Sequence, residues 1–179
     1  PRRTMVDLRP VVYIIGRVLI VLAILMLGPA IIDWRAGLPN STDFMASAAL
    51  TGVVGASLSL STGNALGRAL DTRQAYLLTA GIWFLVPFFG ALPFFFGAPG
   101  LSLNNAYFEA VSGITTTGAT VIVGLDDLPA GMNLWRGMLN WLGGLGIAFI
   151  AAITSSAAGV RSVTSRTRNS LSTSACAIA

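Results

Sequence analysis

The feature that most constrains this chain is a set of apolar segments about as long as a lipid bilayer is thick. A helix needs about 20 residues to cross a hydrocarbon layer of about 30 Å. Segments of about this length cover residues 11–32, 44–66, 75–96 and 133–153. The sequence therefore predicts an all-α integral membrane protein with four transmembrane helices.

The composition supports a lipid environment. Hydrophobic residues make up 54% of the chain and charged residues 10%, whereas an ordinary soluble domain is about 25% charged. The second segment, 44–66, is the most polar of the four because it contains several serines, threonines and glycines. Small residues let helices approach closely in lipid, which favours a helix packed against protein. The alternative is a poorly inserted helix at the membrane interface.

Residue counts exclude most enzyme classes. The chain has a single cysteine, Cys176, and neither histidine nor lysine. A disulfide framework, a Cys/His zinc site and a Ser-His-Asp triad are therefore excluded, as is a phosphate-binding loop that requires lysine. We expect that the protein is not an enzyme and uses no cofactor.

The arginines predict the orientation in the membrane, because cytoplasmic loops carry an excess of positive charge. With a cytoplasmic N-terminus, nine of the eleven arginines lie inside: Arg2, Arg3, Arg9, Arg17, Arg68, Arg73, Arg161, Arg166 and Arg168. Arg35 and Arg136 lie outside, together with most of the acidic residues. Because the arginines flank apolar segments and do not form a patch with aromatic residues, we expect no nucleic-acid partner.

The segment 101–131 lies between the third and fourth apolar segments, so both of its ends are predicted to be outside. Its short helical part, 103–113, is too short to cross and must enter and turn back as a re-entrant pore helix. Irregular backbone at membrane depth is tolerated only where it is buried in protein or lines a water-filled path. The segment is thus a candidate pore loop.

The residues that follow the short helix are Thr115, Thr116, Thr117 and Gly118, in a filter loop predicted over 115–119. Their carbonyls and hydroxyls are suited to replacing the hydration shell of an alkali cation. The C-terminal end of the short helix would add a partial negative charge. Asp126 and Asp127 either concentrate cations near this loop or belong to an ordinary solvated loop.

Five blocks of the sequence resemble the Trk/Ktr/HKT superfamily of potassium transporters, and most closely its TrkH-type bacterial membrane subunits. The blocks are RPVVYIIG at 9–16, GALPF at 90–94, FEAVSGITTTGATVI at 108–122, GLDDLP at 124–129 and LWRGMLNWLGGLGI at 134–147. Together they extend over most of the chain from residue 9 to residue 153.

The resemblance implies two leading helices in 11–73, after a cytoplasmic N-terminus of residues 1–10, and one helix–pore–helix repeat in 74–153. Four such repeats surround one pore in the superfamily. Thr115, Thr116, Thr117 and Gly118 would then form a quarter of a filter that holds K⁺ through backbone carbonyls. The resemblance further implies a bacterial inner membrane location and a cytoplasmic nucleotide-binding regulatory partner.

Residues 154–179 depart from the resemblance and are rich in serine, threonine and arginine. This composition predicts a disordered cytoplasmic tail. Because a filter needs about four loops around one axis, K⁺ uptake requires either a homo-oligomer or association with further pore repeats. The alternative function is that of a truncated, non-conducting remnant or assembly partner. The sequence leaves open K⁺ against Na⁺ preference, and coupling to H⁺ or Na⁺ as a symporter.

Overall fold

The structure is a computed structural model that describes residues 7–65 and 70–146. Every regular element in these two ranges is helical. In chain order they are α1 (Arg9–Arg35), α2 (Asn40–Ser61), a 3₁₀ turn (Gly63–Ala65), α3 (Thr72–Gly90), α4 (Leu92–Phe96), α5 (Leu103–Ile114), a second 3₁₀ turn (Leu125–Asp127) and α6, described over 130–146. The predicted all-helical class is confirmed.

Three stretches of helix in the described part of the chain are long and apolar enough to cross a membrane. They are Arg9–Arg35, Asn40–Ser61 and Thr72–Phe96, which correspond to the first three predicted segments. The fourth predicted segment, 133–153, contains most of α6, but residues 147–153 lie outside the described ranges. The predicted tail 154–179 and the N-terminal arginines Arg2 and Arg3 lie outside them too.

Helices α1 and α2 pack together through two facing glycines. A Cβ atom added to Gly16 would lie 2.7 Å from the carbonyl oxygen of Gly55, and one added to Gly55 would lie 2.8 Å from that of Gly16. The polar residues Ser47, Thr51 and Ser59 of α2 are buried. Part of the small residues of the second segment therefore faces protein, as expected for helices that approach closely in lipid, whereas Ser57 and Ser61 are exposed.

We expect Gly16→Val to separate α1 from α2 and to lower the free energy of unfolding by about 1–3 kcal/mol, the usual cost of overpacking. Gly28→Val is the matched control, since Gly28 lies in the same helix and a Cβ there meets no atom within 4 Å. Thermal unfolding in detergent measures the difference. Equal shifts for the two variants would contradict the close helix crossing.

The third predicted segment is interrupted between α3 and α4, at Ala91, with Pro87 four residues before and Pro93 two residues after. Proline has no N–H group and breaks the helical hydrogen-bond pattern. The carbonyl of Gly90 instead accepts a hydrogen bond of 2.9 Å from Nε1 of Trp135 in α6. The helix is thus interrupted between these two prolines, and a side chain of α6 satisfies one carbonyl beside the interruption.

The largest buried side chains lie where α4 and α6 meet the N-terminal part of α2. Phe44, Phe94, Trp135 and Leu139 are fully buried there. The rings of Phe44 and Trp135 form an edge-on pair with centroids 6.3 Å apart. Because Leu139 also contacts α5, this cluster holds α6 beside α5, and the loop that follows α5 lies against both helices.

Candidate functional site

The chain leaves α5 through a tight turn made by the predicted filter threonines. The N–H of Thr117 donates to the carbonyl of Ser112 at 3.0 Å, and that of Thr116 to Gly113 at 2.9 Å. These two bonds are those of a Schellman motif, which ends a helix with one left-handed residue. Thr116 takes that position with φ +58°. The turn therefore directs the chain away from the helix axis immediately after Thr115.

A left-handed conformation is unusual for Thr116, because β-branched residues rarely adopt positive φ. Such conformations persist where the surrounding structure imposes them, and they cluster at functional sites. Gly118 follows two residues later with φ +74°, and a Cβ added there would meet no atom within 4 Å. Backbone conformation, and not space, is therefore what favours glycine at position 118.

The structure brings the four predicted site residues together in one turn. The side-chain oxygens of Thr115 and Thr117 are 2.9 Å apart, and Thr115 also donates to the carbonyl of Val111 at 2.8 Å. Thr115 is half-buried, whereas Thr116, Thr117 and Gly118 are exposed. Three of the four residues are therefore accessible, while the hydroxyl of Thr115 is already engaged.

Two side chains of α5 hold the loop by hydrogen bonds. Ser112 donates its hydroxyl to the carbonyl of Ala119 at 2.6 Å. One carboxylate oxygen of Glu109, Oε1, accepts hydrogen bonds from the hydroxyl of Thr120 at 2.5 Å and from the N–H of Val121 at 2.7 Å. The loop after Gly118 is therefore anchored to the same short helix that it leaves.

The second carboxylate oxygen of Glu109 pairs with Arg136 of α6. Nε of Arg136 lies 3.3 Å from Oε2, and the two side chains are 21% and 2% exposed. Because charges are costly to bury unless they are paired and hydrogen-bonded, each group requires the other here. The pair links the loop, α5 and α6 through one carboxylate.

Sequence analysis missed Glu109, Ser112 and Arg136 as site residues. It used Glu109 and Arg136 only as markers of the outer side of the membrane. A usable signal was available, since an acidic and a basic residue each occur alone within predominantly apolar helices, where ionisable groups pair with one another.

Asp126 and Asp127 lie in the second 3₁₀ turn and are exposed. Within residues 7–65 and 70–146, no group of three or more His, Cys, Asp or Glu is placed to hold a metal ion. The oxygens available at the loop are therefore carbonyls and hydroxyls. Such oxygens suit a weakly held alkali cation.

These helices and this loop define a helical membrane protein with a short helix and an oxygen-rich turn between longer helices. Residues 40–170 match the TrkH family model, described as a cation transport protein. The chain belongs to this TrkH family.

Two relatives and one solved structure show the extent of the similarity. The Trk system potassium uptake protein TrkI of Halomonas elongata is 39% identical over 138 residues, which are 77% of this chain and 28% of the relative. The TrkH protein of Escherichia coli K12 is 46% identical over 83 residues, which are 46% of this chain and 17% of that protein.

The crystal structure of the potassium transporter TrkH from Vibrio parahaemolyticus superimposes with a TM-score of 0.76 at 32% identity, over 82% of this chain and 31% of that one. The chain thus spans less than a third of the length of these proteins.

Proposed function

We propose that this chain supplies one pore-loop unit of a potassium-uptake transporter. The main observation behind this proposal is the turn after α5, where Thr116 and Gly118 both have positive φ. The exposed loop is bound there by a hydrogen bond to the carboxylate of Glu109. The family match and the printed name of TrkI support K⁺ as the transported ion. Thr115, Thr116, Thr117 and Gly118 are the proposed ion-binding residues, acting through backbone carbonyls.

In this proposal α5 is a re-entrant pore helix, and α6 begins the fourth transmembrane helix. Residues 11–73 are the two leading helices, and 74–153 form one helix–pore–helix repeat with its filter loop over 115–119. The C-terminal end of α5 is directed toward the ion path, so its partial negative charge favours a cation there.

A complete filter requires about four loops around an axis. The further loops come either from additional pore repeats or from other copies of this chain. A cytoplasmic nucleotide-binding subunit is the proposed regulatory partner, and the bacterial inner membrane is the proposed location.

The proposed orientation gives a direct labelling prediction. After Cys176 is replaced by serine, Arg73→Cys at the start of α3 should be protected from a membrane-impermeant thiol reagent added outside. Asp126→Cys in the outer 3₁₀ turn should react with it, since Asp126 is exposed. Lysis should make both positions reactive, and the reverse pattern in intact cells would contradict a cytoplasmic N-terminus.

The function itself is tested in a chimera, named here the TrkI chimera, in which this chain replaces the segment of Halomonas elongata TrkI that it matches. The chimera is expressed in a strain that lacks its own K⁺ uptake systems. Growth at low external K⁺ supports the proposal. Absence of growth, with the chimera present in the membrane and native TrkI active in parallel, contradicts it and favours the non-conducting alternative.

A further inference from the structure

A second buried carboxylate lies outside the filter loop, at the C-terminal end of α1. Asp33 is fully buried. Its Oδ2 accepts a hydrogen bond of 2.8 Å from Nδ2 of Asn40, and its Oδ1 accepts one of 2.8 Å from the backbone N–H of Gly131. Asp33 thus joins α1, the first residue of α2 and the first turn of α6.

The bond to Gly131 satisfies a backbone N–H in the first turn of α6. That turn follows Pro129, whose carbonyl accepts from the N–H groups of Met132 and Asn133. Proline has no side-chain oxygen that could accept the N–H of Gly131, and the first N–H groups of a helix lack intrahelical partners. Asp33 supplies that acceptor from 98 residues away in the sequence.

The charge of Asp33 also suits α6 better than α1. A carboxylate is stabilising near a helix N-terminus and unfavourable near a C-terminus. Asp33 lies in the last turn of its own helix and against the first turn of α6. A Cβ added to Gly131 would lie 2.5 Å from Cγ of Asp33, so glycine at that position lets the carboxylate reach the backbone.

Asn40 fixes the direction of these hydrogen bonds. Its Oδ1 accepts from the N–H of Ala98 at 2.8 Å while its Nδ2 donates to Asp33. A backbone N–H only donates. A flipped Asn40 amide would therefore place its own NH₂ group against the backbone N–H of Ala98, donor against donor. Asp33 therefore faces two donors, and only a group with two acceptor oxygens satisfies both.

The capped end of α6 is connected to the filter loop through the helix itself. Arg136, five residues after Gly131, pairs with the carboxylate of Glu109 that anchors the loop. Further along, Leu139 packs on Gly113, where an added Cβ would lie 2.9 Å from the Leu139 Cβ. An axial shift of α6 would therefore displace the partner of Glu109 and the helix end that precedes the filter.

We propose that Asp33 is a positioning residue for the filter: it caps α6 from α1 and sets the axial position at which Arg136 meets Glu109. The proposal rests on the function proposed above, because it assigns Asp33 a part in ion selection.

A swap of the two side chains tests the cap without any transport. Asp33→Asn places an amide NH₂ against a donor, and Asn40→Asp places two carboxylates against each other. In the double variant Asp33→Asn/Asn40→Asp, the amide at position 33 donates to the carboxylate at position 40 and accepts from Gly131, and Ala98 keeps its acceptor. All three hydrogen bonds are then restored.

In thermal unfolding of the purified chain in detergent, each single variant should lower the Tm by about 5–10 °C, since a buried polar group loses its partner. The double variant should recover most of that loss. Asp43→Asn, in the first turn of α2, is the control for removing a carboxylate near Asn40 and should change the Tm little. Additive losses in the double variant would overturn the proposal.

The effect on the filter is measured as Rb⁺ uptake against competing Na⁺ in the TrkI chimera, normalised to the amount of protein. Asp33→Asn should lower the preference for Rb⁺ several-fold, and the double variant should restore it. Unchanged preference in a transporting Asp33→Asn chimera would overturn the positioning role. Failure of the unmodified chimera to transport would contradict the proposed function instead, while the Tm comparison still decides the cap.

Discussion

Replacing Glu109 with glutamine is expected to lower the free energy of unfolding by about 3–5 kcal/mol, the cost of breaking a buried ion pair by removing one partner. The amide can keep one oxygen for Thr120 and Val121, but its NH₂ group then faces the guanidinium of Arg136. The Arg136 side chain is only 21% exposed and has no other salt-bridge partner among the described residues. The loop after Gly118 loses its link to α6 through Glu109 in the same step.

A double variant distinguishes the loss of one charge of the Glu109–Arg136 pair from the loss of both. Arg136→Gln alone leaves a carboxylate that is 2% exposed without its cation and should cost a similar amount. Glu109→Gln/Arg136→Gln removes both charges and should cost less than either single change, because replacing both members of a buried pair is often close to neutral. Asp126→Asn, on the exposed turn, should change the free energy of unfolding by less than about 0.5 kcal/mol.

Unfolding of the four variants in detergent, followed by circular dichroism, provides the measurement. Strictly additive costs in the double variant would show that Glu109 and Arg136 act independently, which contradicts the anchor described for the loop.

The largest expected effect on transport follows from Gly118→Ser. An L-residue in the left-handed region costs about 1–2 kcal/mol, and Gly118 has φ +74°. If the loop relaxes to relieve that cost, its carbonyls move away from the ion path. The Rb⁺ concentration for half-maximal uptake by the TrkI chimera should therefore rise on the order of tenfold, with a weaker preference for Rb⁺ over Na⁺.

Gly37→Ser is a closely matched control for that substitution. Gly37 has φ +69°, and a Cβ there meets no atom within 4 Å, as at Gly118. The added strain and the available space are therefore alike, but Gly37 lies between α1 and α2, away from the loop. Serine at position 37 should leave affinity and ion preference unchanged. Equal effects at both positions would assign the change at Gly118 to general destabilisation.

Sequence reasoning located the main helices because membrane crossing is encoded by the length of apolar segments. It also located the turn after α5, because the short helical part 103–113 cannot cross the membrane and must turn back. The positive φ of Thr116 was not predictable from residue type, since β-branched residues rarely adopt it. It follows from two hydrogen bonds that close the end of α5.

The long-range polar contacts were beyond the sequence for a different reason. Asp33 and Gly131 are 98 residues apart, and Glu109 and Arg136 are 27 apart. Hydrophobic periodicity identifies which face of a helix is apolar, but it does not identify which buried charge meets which donor on another helix. These partners depend on how α1, α5 and α6 pack in three dimensions.

We propose that backbone oxygens of Thr115 to Gly118 bind the transported cation. The most direct test of this binding is the anomalous signal of Rb⁺ in crystals of the transporting TrkI chimera, collected with Rb⁺ in place of K⁺. We expect density on the pore axis at coordinating distance from these carbonyls, and loss of that density in Gly118→Ser. Well-ordered filter loops with no Rb⁺ density beside them, and Rb⁺ bound elsewhere along the pathway, would contradict the claim.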